Sequence, residues 1–296
     1  MKTKSAMITI AGRPNVGKST LTNYLVGEKI AIVSNKPQTT RNRICGIVTR
    51  ENTQFVFVDT PGYHRARTKL GDYMVNTVRE SIADVDATIL VVEPIASIGP
   101  QEEGLIEKIK ASKSPAILCI NKIDTVEKET LLEVIAVYSQ AMDFAAIIPI
   151  CAKNGDGVDA LLKECQKHAV EGPFLFDDDM TTDQPERQVM AEIIREKILW
   201  NLDREIPHGT AVEISRFSER DSGIIDIDAT IYCEKASHKG IIIGKRGDML
   251  KKISTQARTD CEKFMGTKVY LTTWVKVKEN WRDSDFLVRN FGYNDK

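Results

Sequence analysis

Gly12-Arg13-Pro14-Asn15-Val16-Gly17-Lys18-Ser19 is the stretch that decides the fold of the first half of this 296-residue chain. It has the G-x-x-x-x-G-K-[ST] spacing of a phosphate-binding loop, in which glycines let the backbone approach a phosphate closely. Lys18 can reach the β- and γ-phosphates, and the Ser19 hydroxyl can ligate Mg²⁺. An apolar run at 6–11 predicts a buried strand before the loop, and a helix at 20–26 follows it, with an N-terminus that favours an anion. A glycine-rich turn with a solvated lysine has the same spacing, so the rest of the chain must decide.

Strands and helices alternate after this loop. Continuous apolar strands separated by helices are typical of a mostly parallel sheet that helices cover on both faces. A hairpin, with strands at 44–49 and 54–58, precedes them. The sequence therefore predicts an α/β domain with strands at 87–92, 116–120 and 146–150 and helices at 102–111, 128–142 and 156–170.

Three polar motifs follow predicted strands directly. They are Asp59-Thr60-Pro61-Gly62, Asn121-Lys122-Ile123-Asp124 and Cys151-Ala152-Lys153. Folds of this class bind ligands at the carboxyl ends of their strands. We expect Asp59 to hold Mg²⁺ through a water and the Gly62 N–H to bond a γ-phosphate. An ordinary D-T-P-G turn is the alternative for this motif taken alone.

The N-K-x-D motif indicates guanine. The Asp124 carboxylate can accept hydrogen bonds from N1–H and the 2-amino group, a pair of donors that adenine lacks. A mismatched base would leave the carboxylate unpaired, which is costly in a buried site. Asn121 would tie the loops together, Lys122 would cover the ring, and the Ala152 N–H would bond the guanine O6. A helix-capping aspartate is the alternative, but four motifs in this order make chance remote.

These motifs resemble those of the small GTPase domain of the translation-factor-related class. G-R-P-N-V-G-K-S, T-T-R, D-T-P-G, N-K-I-D and C-A-K match its five nucleotide-binding motifs, with Cys151 at the usual serine. That exchange is expected to matter little if the contact comes from the Ala152 backbone. The resemblance implies GTP/GDP and Mg²⁺ as cofactors, with Thr40, rather than its rival Thr39, completing the Mg²⁺ shell.

The implied site has three overlapping parts. The nucleotide-binding residues are Gly12, Arg13, Pro14, Asn15, Val16, Gly17, Lys18, Ser19, Thr20, Asp59, Thr60, Pro61, Gly62, Asn121, Lys122, Asp124, Cys151, Ala152 and Lys153. The Mg²⁺ ligands are Ser19, Thr40 and Asp59. The catalytic set is Lys18, Thr40, Asp59 and Gly62.

One departure concerns the mechanism. Many GTPases have a glutamine after the D-x-x-G motif to orient the attacking water, and here that position is Tyr63. We therefore expect slow intrinsic hydrolysis. Similar GTPases with asparagine at the position of Asn15 often hold K⁺ near the phosphates, so the resemblance also implies a K⁺ site.

A second domain follows an acidic, proline-containing linker. We expect a GTPase domain over 1–172, the linker over 173–185 and an RNA-binding domain over 186–296. The second domain is predicted to contain a helix at 186–202, a hairpin with strands at 211–217 and 224–233, a helix at 248–265 and a strand at 269–277.

The loop Gly244-Lys245-Arg246-Gly247 lies between two predicted helices and resembles the GXXG loop of a KH domain, which holds single-stranded nucleic acid. The element order resembles the prokaryotic-type, α+β KH arrangement. The stretch 235–282 has twelve Lys/Arg against four Asp/Glu, a net charge of +8 in a chain of −1. Such a segment favours a nucleic-acid partner over a merely solvated basic helix. The candidate RNA-binding residues are Gly244, Lys245, Arg246, Gly247, Lys251 and Lys252.

A GTPase domain followed by a KH domain resembles the Era family of bacterial ribosome-assembly GTPases over essentially the whole chain. The linker and the ending W-V-K-V-K-E-N-W-R-D-S-D-F-L-V-R-N-F-G-Y add to this resemblance. It implies binding of 16S rRNA near its 3′ end, a role in 30S subunit assembly and maturation that is coupled to cell growth, and peripheral association with the cell membrane.

The alternative is a membrane-associated signalling GTPase whose basic domain binds anionic lipid. A third reading is a purely RNA-binding structural protein with a vestigial nucleotide site, and the intact Lys18, Ser19, Asp59 and Asp124 argue against it.

Three further expectations concern the environment of the chain. Its six cysteines form no C-x-x-C pair and are expected to be reduced core residues. No apolar stretch reaches the roughly 18 residues of a spanning helix, and no signal peptide is recognised, so we expect a cytoplasmic protein, associated at most peripherally with the inner face of the membrane. We also expect a monomer. Trp200, Trp274 and Trp281 are expected to pack in the protein rather than to stack on bases.

Overall fold

The computed structural model describes residues 2–64 and 66–293. The chain divides into two compact units. The first comprises Met1–Ala66 and Met74–Asp183, and the second comprises Arg67–Tyr73 and Gln184–Lys296. The grouping of Arg67–Tyr73 with the second unit was not expected from the sequence.

The first unit is built on one twisted sheet. Its strands are β1 (Lys4–Ala11), β2 (Ile44–Arg50), β3 (Thr53–Asp59), β4 (Ala87–Val92), β5 (Ala116–Ile120), β6 (Ala146–Pro149) and β7 (Val170–Glu171). Their order in the sheet is β2-β3-β1-β4-β5-β6, with β7 paired to β1. The β2–β3 and β1–β7 pairs are antiparallel and the other pairs are parallel, which confirms the mostly parallel sheet.

Helices cover both faces of this sheet. They are α1 (Lys18–Val26), α2 (Lys69–Ile82), α3 (Pro100–Ser112), α4 (Lys128–Ala141) and α5 (Val158–Gln166). One core cluster joins α1 and α5 to one face, and a second joins α2, α3 and α4 to the other. The last helix ends four residues before the predicted Val170, because Val170 pairs with Ser5 as part of β7.

The segment that follows the first unit's last strand lies along the β2–β3 hairpin. The Gln54 side chain accepts hydrogen bonds from the backbone N–H groups of Leu175 and Phe176 at 2.8 and 3.0 Å. Ile47 N donates to Thr181 O at 2.9 Å. Residues up to Asp183 therefore belong to the first compact unit, while the functional bounds 1–172, 173–185 and 186–296 stay predictions.

The second unit has the element order predicted for a prokaryotic-type KH domain. Its elements are α6 (Glu186–Asn201), β8 (Thr210–Glu219), β9 (Ile225–Cys233), α7 (Ala236–Ile243), α8 (Asp248–Met265), β10 (Val269–Val277) and α9 (Asp285–Asn290). The sheet has the order β10-β9-β8, antiparallel between β8 and β9 and parallel between β9 and β10. One core cluster packs the helices against one face of this sheet.

The predictions for the cysteine and tryptophan side chains have different outcomes. All six cysteines are buried and free, as expected. Trp281 is fully buried and donates its indole N–H to Gly209 O at 2.9 Å. Trp200 and Trp274 are not core residues, because they are 52% and 59% exposed, although Lys197 Nζ lies 3.5 Å from the Trp200 ring centroid. Trp274 lies on the face of β10 opposite the helices, where the unit's core does not reach. Within residues 2–64 and 66–293, no helix is long and apolar enough to cross a membrane.

Candidate functional site

The predicted nucleotide motifs converge at one edge of the first sheet. They follow β1, β3, β5 and β6, whose carboxyl ends lie at the same edge because these strands are parallel. Asn121 connects three of the loops. Its Nδ2 donates to Val16 O at 2.8 Å, and its Oδ1 accepts from Ala152 N at 2.9 Å. The phosphate loop is thus joined to both motifs assigned to the base.

Two glycines are required where these loops touch. Gly17 has φ +102°, and a Cβ there would lie 2.2 Å from Asn121 Nδ2. A Cβ on Gly62 would lie 2.8 Å from the Pro14 backbone. The D-T-P-G turn therefore passes directly against the phosphate loop, and a side chain at either glycine would separate them.

Oxygen atoms of three side chains lie close together beside the phosphate loop. Ser19 Oγ lies 2.8 Å from Thr40 Oγ1 and donates to Asp59 Oδ2 at 2.7 Å. Asp59 is fully buried, and its Oδ1 has no hydrogen-bond partner within the described part of the chain. Hydroxyl and carboxylate oxygens are the ligands that Mg²⁺ prefers, and an orphaned buried carboxylate oxygen fits a cation. These residues therefore fit a magnesium ion.

The hydroxyl of the neighbouring threonine, Thr39, has different hydrogen-bond partners. Thr39 Oγ1 lies 2.7 Å from Ser34 Oγ and donates to Lys36 O at 2.6 Å. Its hydroxyl is thus engaged within its own loop, whereas the hydroxyl of Thr40 adjoins Ser19. This placement favours Thr40 over Thr39 as the third ligand.

Lys18 lies in the same pocket with its charge largely removed from water. Its Nζ donates to Gly12 O at 3.1 Å and to Arg13 O at 3.0 Å. Burial lowers the pKa of Lys18 to about 8, although the nearby Asp59 carboxylate opposes the shift. Burial likewise raises the pKa of Asp59 to about 6, against the opposing effects of Lys18 and of hydrogen bonds from Ser19 and Thr60. Both charges would be stabilised by a polyanion with its cation.

At the base end of the pocket, Cys151 does more than sequence reasoning assigned to it. Its Sγ donates to Asp124 Oδ1 at 3.2 Å. The exchange of serine for Cys151 was expected to matter little if the contact came from the Ala152 backbone, and the side-chain contact to the carboxylate that would select guanine was not foreseen. The signal was available, because a thiol at the usual serine position keeps a donor there.

Glu93 was not predicted from the sequence as a residue of the site. It directly follows β4 at the site edge, and its carboxylate forms ion pairs with Arg13 and with Lys122, the latter at 2.5 Å. Lys122 Nζ also donates to Asn15 O at 2.7 Å, and Arg13 Nε lies 2.9 Å from the buried Glu102. Glu93 thus bridges the phosphate loop and the N-K-I-D motif. The rule that ligand-site residues follow parallel strands could have found it.

The side chains of Tyr63 and Asn15 each contact a neighbouring segment of the first unit. Tyr63 N donates to Gly12 O at 3.1 Å, and its ring packs on α3 between Gly104 and Lys108, whose Nζ is 4.9 Å from the ring centroid. Asn15 Nδ2 donates to Asn35 O at 2.7 Å. The amide oxygen is therefore the side-chain atom of Asn15 that would face a cation.

The other predicted nucleotide residues surround the same loop. Val16, Thr60 and Pro61 are buried, and Thr60 Oγ1 donates to Ile10 O at 2.9 Å. Thr20 lies in the first turn of α1. Lys153 is exposed.

The basic loop of the second unit is compact and exposed. It joins α7 to α8, with Gly244, Arg246 and Gly247 at φ of 76°, 55° and 85°. A Cβ on Gly244 would lie 2.7 Å from Met249 Cβ, so the loop passes closely over the start of α8. The four predicted cations, Lys245, Arg246, Lys251 and Lys252, are all exposed. The loop thus presents positive charge beside an approachable backbone.

Comparison with known proteins decides the family. Residues 7–122 match the model of the 50S ribosome-binding GTPase family, and residues 205–282 match the KH domain. The chain is 53% identical over 293 residues to GTPase Era of Ruminiclostridium cellulolyticum, covering 99% of this chain and 98% of that one. It belongs to the Era family. GTPase Era of Clostridioides difficile is 51% identical over 295 residues, covering 99% of both chains.

Two crystal structures of Era are similar over 99% of this chain and the whole of theirs, each with a TM-score of 0.94 and 36% identity. One is Era in complex with MgGDPNP and nucleotides 1506–1542 of 16S ribosomal RNA. The other is Aquifex aeolicus Era Y63A bound to GDP and AlF4⁻. The Era-family chain described here is accordingly a GTPase with a C-terminal KH domain.

Proposed function

We propose that this GTPase is a switch that binds 16S rRNA near its 3′ end and assists small-subunit assembly in the cytoplasm, as a monomer and in step with cell growth. The main support for a nucleotide switch is that the side-chain oxygens of Ser19, Thr40 and Asp59 lie together beside buried Lys18. A related Era was crystallised with MgGDPNP and nucleotides 1506–1542 of 16S ribosomal RNA, which supports both ligands.

In this proposal the nucleotide holds two loops in place. The phosphate loop and the N-terminus of α1 bind the phosphates, and Lys18 spreads its charge over the β- and γ-phosphates. Ser19, Thr40 and Asp59 would hold Mg²⁺, which neutralises the charge that develops during phosphoryl transfer. The Gly62 N–H bonds the γ-phosphate. Loss of that phosphate removes a partner of both Thr40 and Gly62 and releases their loops.

Asp124 selects the base in this proposal. It accepts from the guanine N1–H and 2-amino group, while Asn121 fixes the loop and the Lys122 stem covers the ring. The Ala152 N–H bonds O6. The Cys151 thiol, 3.2 Å from the carboxylate, holds Asp124 in position.

Hydrolysis without a partner is slow in this proposal, and K⁺ accelerates it. The Tyr63 ring packs against α3. Its phenol group therefore does not replace the amide that orients the attacking water in other GTPases. A K⁺ ion held by the Asn15 oxygen would supply part of the positive charge that an arginine finger supplies elsewhere. Hydrolysis should be faster in K⁺ than in Na⁺ buffer, and Asn15→Ala should remove the difference. Equal rates for the unaltered protein in the two buffers would contradict the K⁺ site.

The KH loop is the proposed RNA contact. Its closely packed glycines let a sugar-phosphate chain approach the backbone, and its exposed lysines and arginine supply charge. The test is binding of the unaltered protein and of Gly244→Asp to an RNA with nucleotides 1506–1542, and to phosphatidylserine vesicles. We expect the unaltered protein to prefer the RNA, and the variant to lose RNA while it keeps GDP. RNA binding that survives in the variant would contradict the loop assignment. Preference for vesicles would favour the anionic-lipid alternative.

A further inference from the structure

Residues 181–183, which we call the edge segment, extend the sheet of the first unit. They pair with β2, the outermost strand in the order β2-β3-β1-β4-β5-β6. Successive residues are matched: Cys45 N donates to Asp183 Oδ1 at 3.1 Å, Gly46 forms an antiparallel bridge with Thr182, and Ile47 N donates to Thr181 O at 2.9 Å. Part of the predicted linker is therefore attached to a strand of the nucleotide-binding unit.

The strand that holds the edge segment begins close to the proposed magnesium ligand Thr40. Only Arg41, Asn42 and Arg43 separate Thr40 from Ile44, the first residue of β2. Thr40 and Arg41 are both buried, at 7% and 1% exposure. A buried connection transmits a displacement because protein interiors are close-packed. Release of Thr40 on loss of the γ-phosphate would therefore disturb the end of β2 that pairs with the edge segment.

The predicted linker is also attached to the first unit at a second place. The fully buried Gln54 side chain on β3 accepts from Leu175 N and Phe176 N, and its Nε2 donates to Phe176 O at 2.9 Å. The edge segment, in contrast, pairs with β2 through an isolated bridge. Short pairings at a sheet edge open more readily than the strands of a core. We therefore expect release of Thr40 to affect the edge segment and not the residues held by Gln54.

Two residues connect the edge segment to the second unit. They are Gln184 and Pro185, and α6 begins at Glu186. Proline fixes its own φ, here −59°, and restricts the residue before it to extended conformations. Pro185 O also accepts from Gln188 N and Val189 N at 2.8 and 3.2 Å. The connection therefore has little slack between the edge segment and the first turn of α6.

Inside the second unit, α6 is joined to the helix that begins at the basic loop. Lys197 Nζ donates to Asp260 Oδ2 at 2.5 Å, and Asn201 Nδ2 donates to Gln256 Oε1 at 2.6 Å. Asp260 and Gln256 lie on α8, whose first residue follows Gly247 directly. The two helices also share one apolar core. A change at the start of α6 would therefore reach the helix that adjoins the proposed RNA contact.

We propose that the edge segment couples the nucleotide to RNA binding. While GTP holds Thr40, β2 keeps its register and the edge segment stays paired with it. After hydrolysis the Thr40 loop is released, the pairing opens, and the start of α6 loses its attachment to β2. This inference rests on the proposed switch and names the residues that transmit it. Asp183, whose carboxylate accepts from Cys45 N, is the side chain that a substitution can test.

The first readout is amide hydrogen exchange at residue resolution in the unaltered full chain. The amides of Cys45 and Ile47, which donate to the edge segment, should exchange at least about fivefold faster with GDP than with GDPNP. That is the factor a pairing must open by if it carries typical coupling between sites. The amides of Leu175 and Phe176 are the internal control and should exchange equally in the two states. Equal rates for Cys45 and Ile47 would overturn the proposal.

The second readout is affinity for an RNA with nucleotides 1506–1542, measured with saturating GDPNP and with saturating GDP. Asp183→Ala should reduce the ratio of the two affinities from at least about fivefold to about one, without a change in GDP affinity. Asp183→Asn should keep most of the ratio, because its side-chain oxygen still accepts from Cys45 N. The matched control is Asp177→Ala, which removes an exposed carboxylate from the same predicted linker. An Asp183→Ala ratio equal to that of the unaltered protein would overturn the proposal.

The unaltered protein separates failure of this inference from failure of the proposed switch. If its RNA affinity depends on the nucleotide and Asp183→Ala keeps that dependence, the switch stands and the role of the edge segment falls. If its RNA affinity is the same in both nucleotide states, both fall. If Asp183→Ala does not fold, hydrogen exchange in the unaltered protein decides.

Discussion

The nucleotide pocket and the basic loop differ in how each holds its charge. In the pocket, Lys18 and Asp59 are buried and come from different loops, and each has its own hydrogen-bond partners at 2.7 to 3.1 Å. In the loop, Lys245 and Arg246 are sequence neighbours and both are exposed. The pocket can therefore discriminate between ligands, because a buried group left unpaired is costly. The loop contributes mainly salt-dependent attraction, which is spread over several cations.

The largest effect should follow from removing the buried lysine of the pocket. Lys18→Ala should lower the rate of single-turnover GTP hydrolysis by about a hundredfold to a thousandfold, the cost of losing one preorganised donor at a site of developing charge. The control is Lys163→Ala, which removes an exposed lysine on α5. A Lys18→Ala rate within threefold of the control would contradict the role of this pocket.

Asp124→Asn should come next. An amide cannot accept from both guanine donors, so GDP affinity should fall by about a hundredfold, as for sites built to pair a ligand's polar groups. Affinity for xanthosine diphosphate should rise, because the amide can donate to its 2-oxo group. Competition titrations measure both, and the exposed Asp159→Asn is the control. Unchanged selectivity would show that Asp124 does not contact the base.

A double substitution in the basic loop tests the other side of the comparison. Lys245→Ala with Arg246→Ala should weaken RNA binding by on the order of thirtyfold and reduce the slope of log affinity against log salt by about two. GDP affinity should not change. Lys263→Ala, an exposed lysine near the other end of α8, is the matched control. An unaltered salt slope would show that these two cations do not meet phosphates.

Glu93→Ala should have a smaller effect on the pocket. Its carboxylate bridges Arg13 and Lys122, and loss of these charge-assisted contacts should speed GDP release by about tenfold. Glu93→Gln should restore part of the difference, which simple loss of packing would not explain. The exposed Glu103→Ala is the control. Stopped-flow release of labelled GDP at an unchanged rate would show that the bridge is dispensable.

The smallest effect concerns the thiol beside Asp124. Cys151→Ala should weaken GDP binding by about threefold, the size of one neutral hydrogen bond, and Cys151→Ser should restore it. Calorimetric titration of the three proteins resolves this difference. A serine variant as weak as the alanine variant would indicate that packing, and not the donor, matters at this position.

The same contrast explains what the sequence could predict. The sheet, the order of the motifs and the loop at 244–247 follow from local patterns, because strand periodicity and glycine spacing are encoded within short windows. Glu93 lies 29 positions from Lys122 and 80 positions from Arg13, and Cys151 lies 27 positions from Asp124. Such contacts depend on which strand ends are neighbours, and single-sequence patterns do not give side-chain partners. The exposure of Trp274 was missed because alternation in β10 shows two faces but not which one the helices cover.

If the protein is a switch as we propose, the nucleotide bound by the first unit changes how tightly the second unit binds RNA. The most direct test is the affinity of the unaltered full chain for an RNA with nucleotides 1506–1542, measured with saturating GDPNP and with saturating GDP at one salt concentration. We predict affinities that differ by at least about fivefold, the lower end of typical coupling between sites. Equal affinities in the two nucleotide states would contradict the switch and leave two independent sites on one chain.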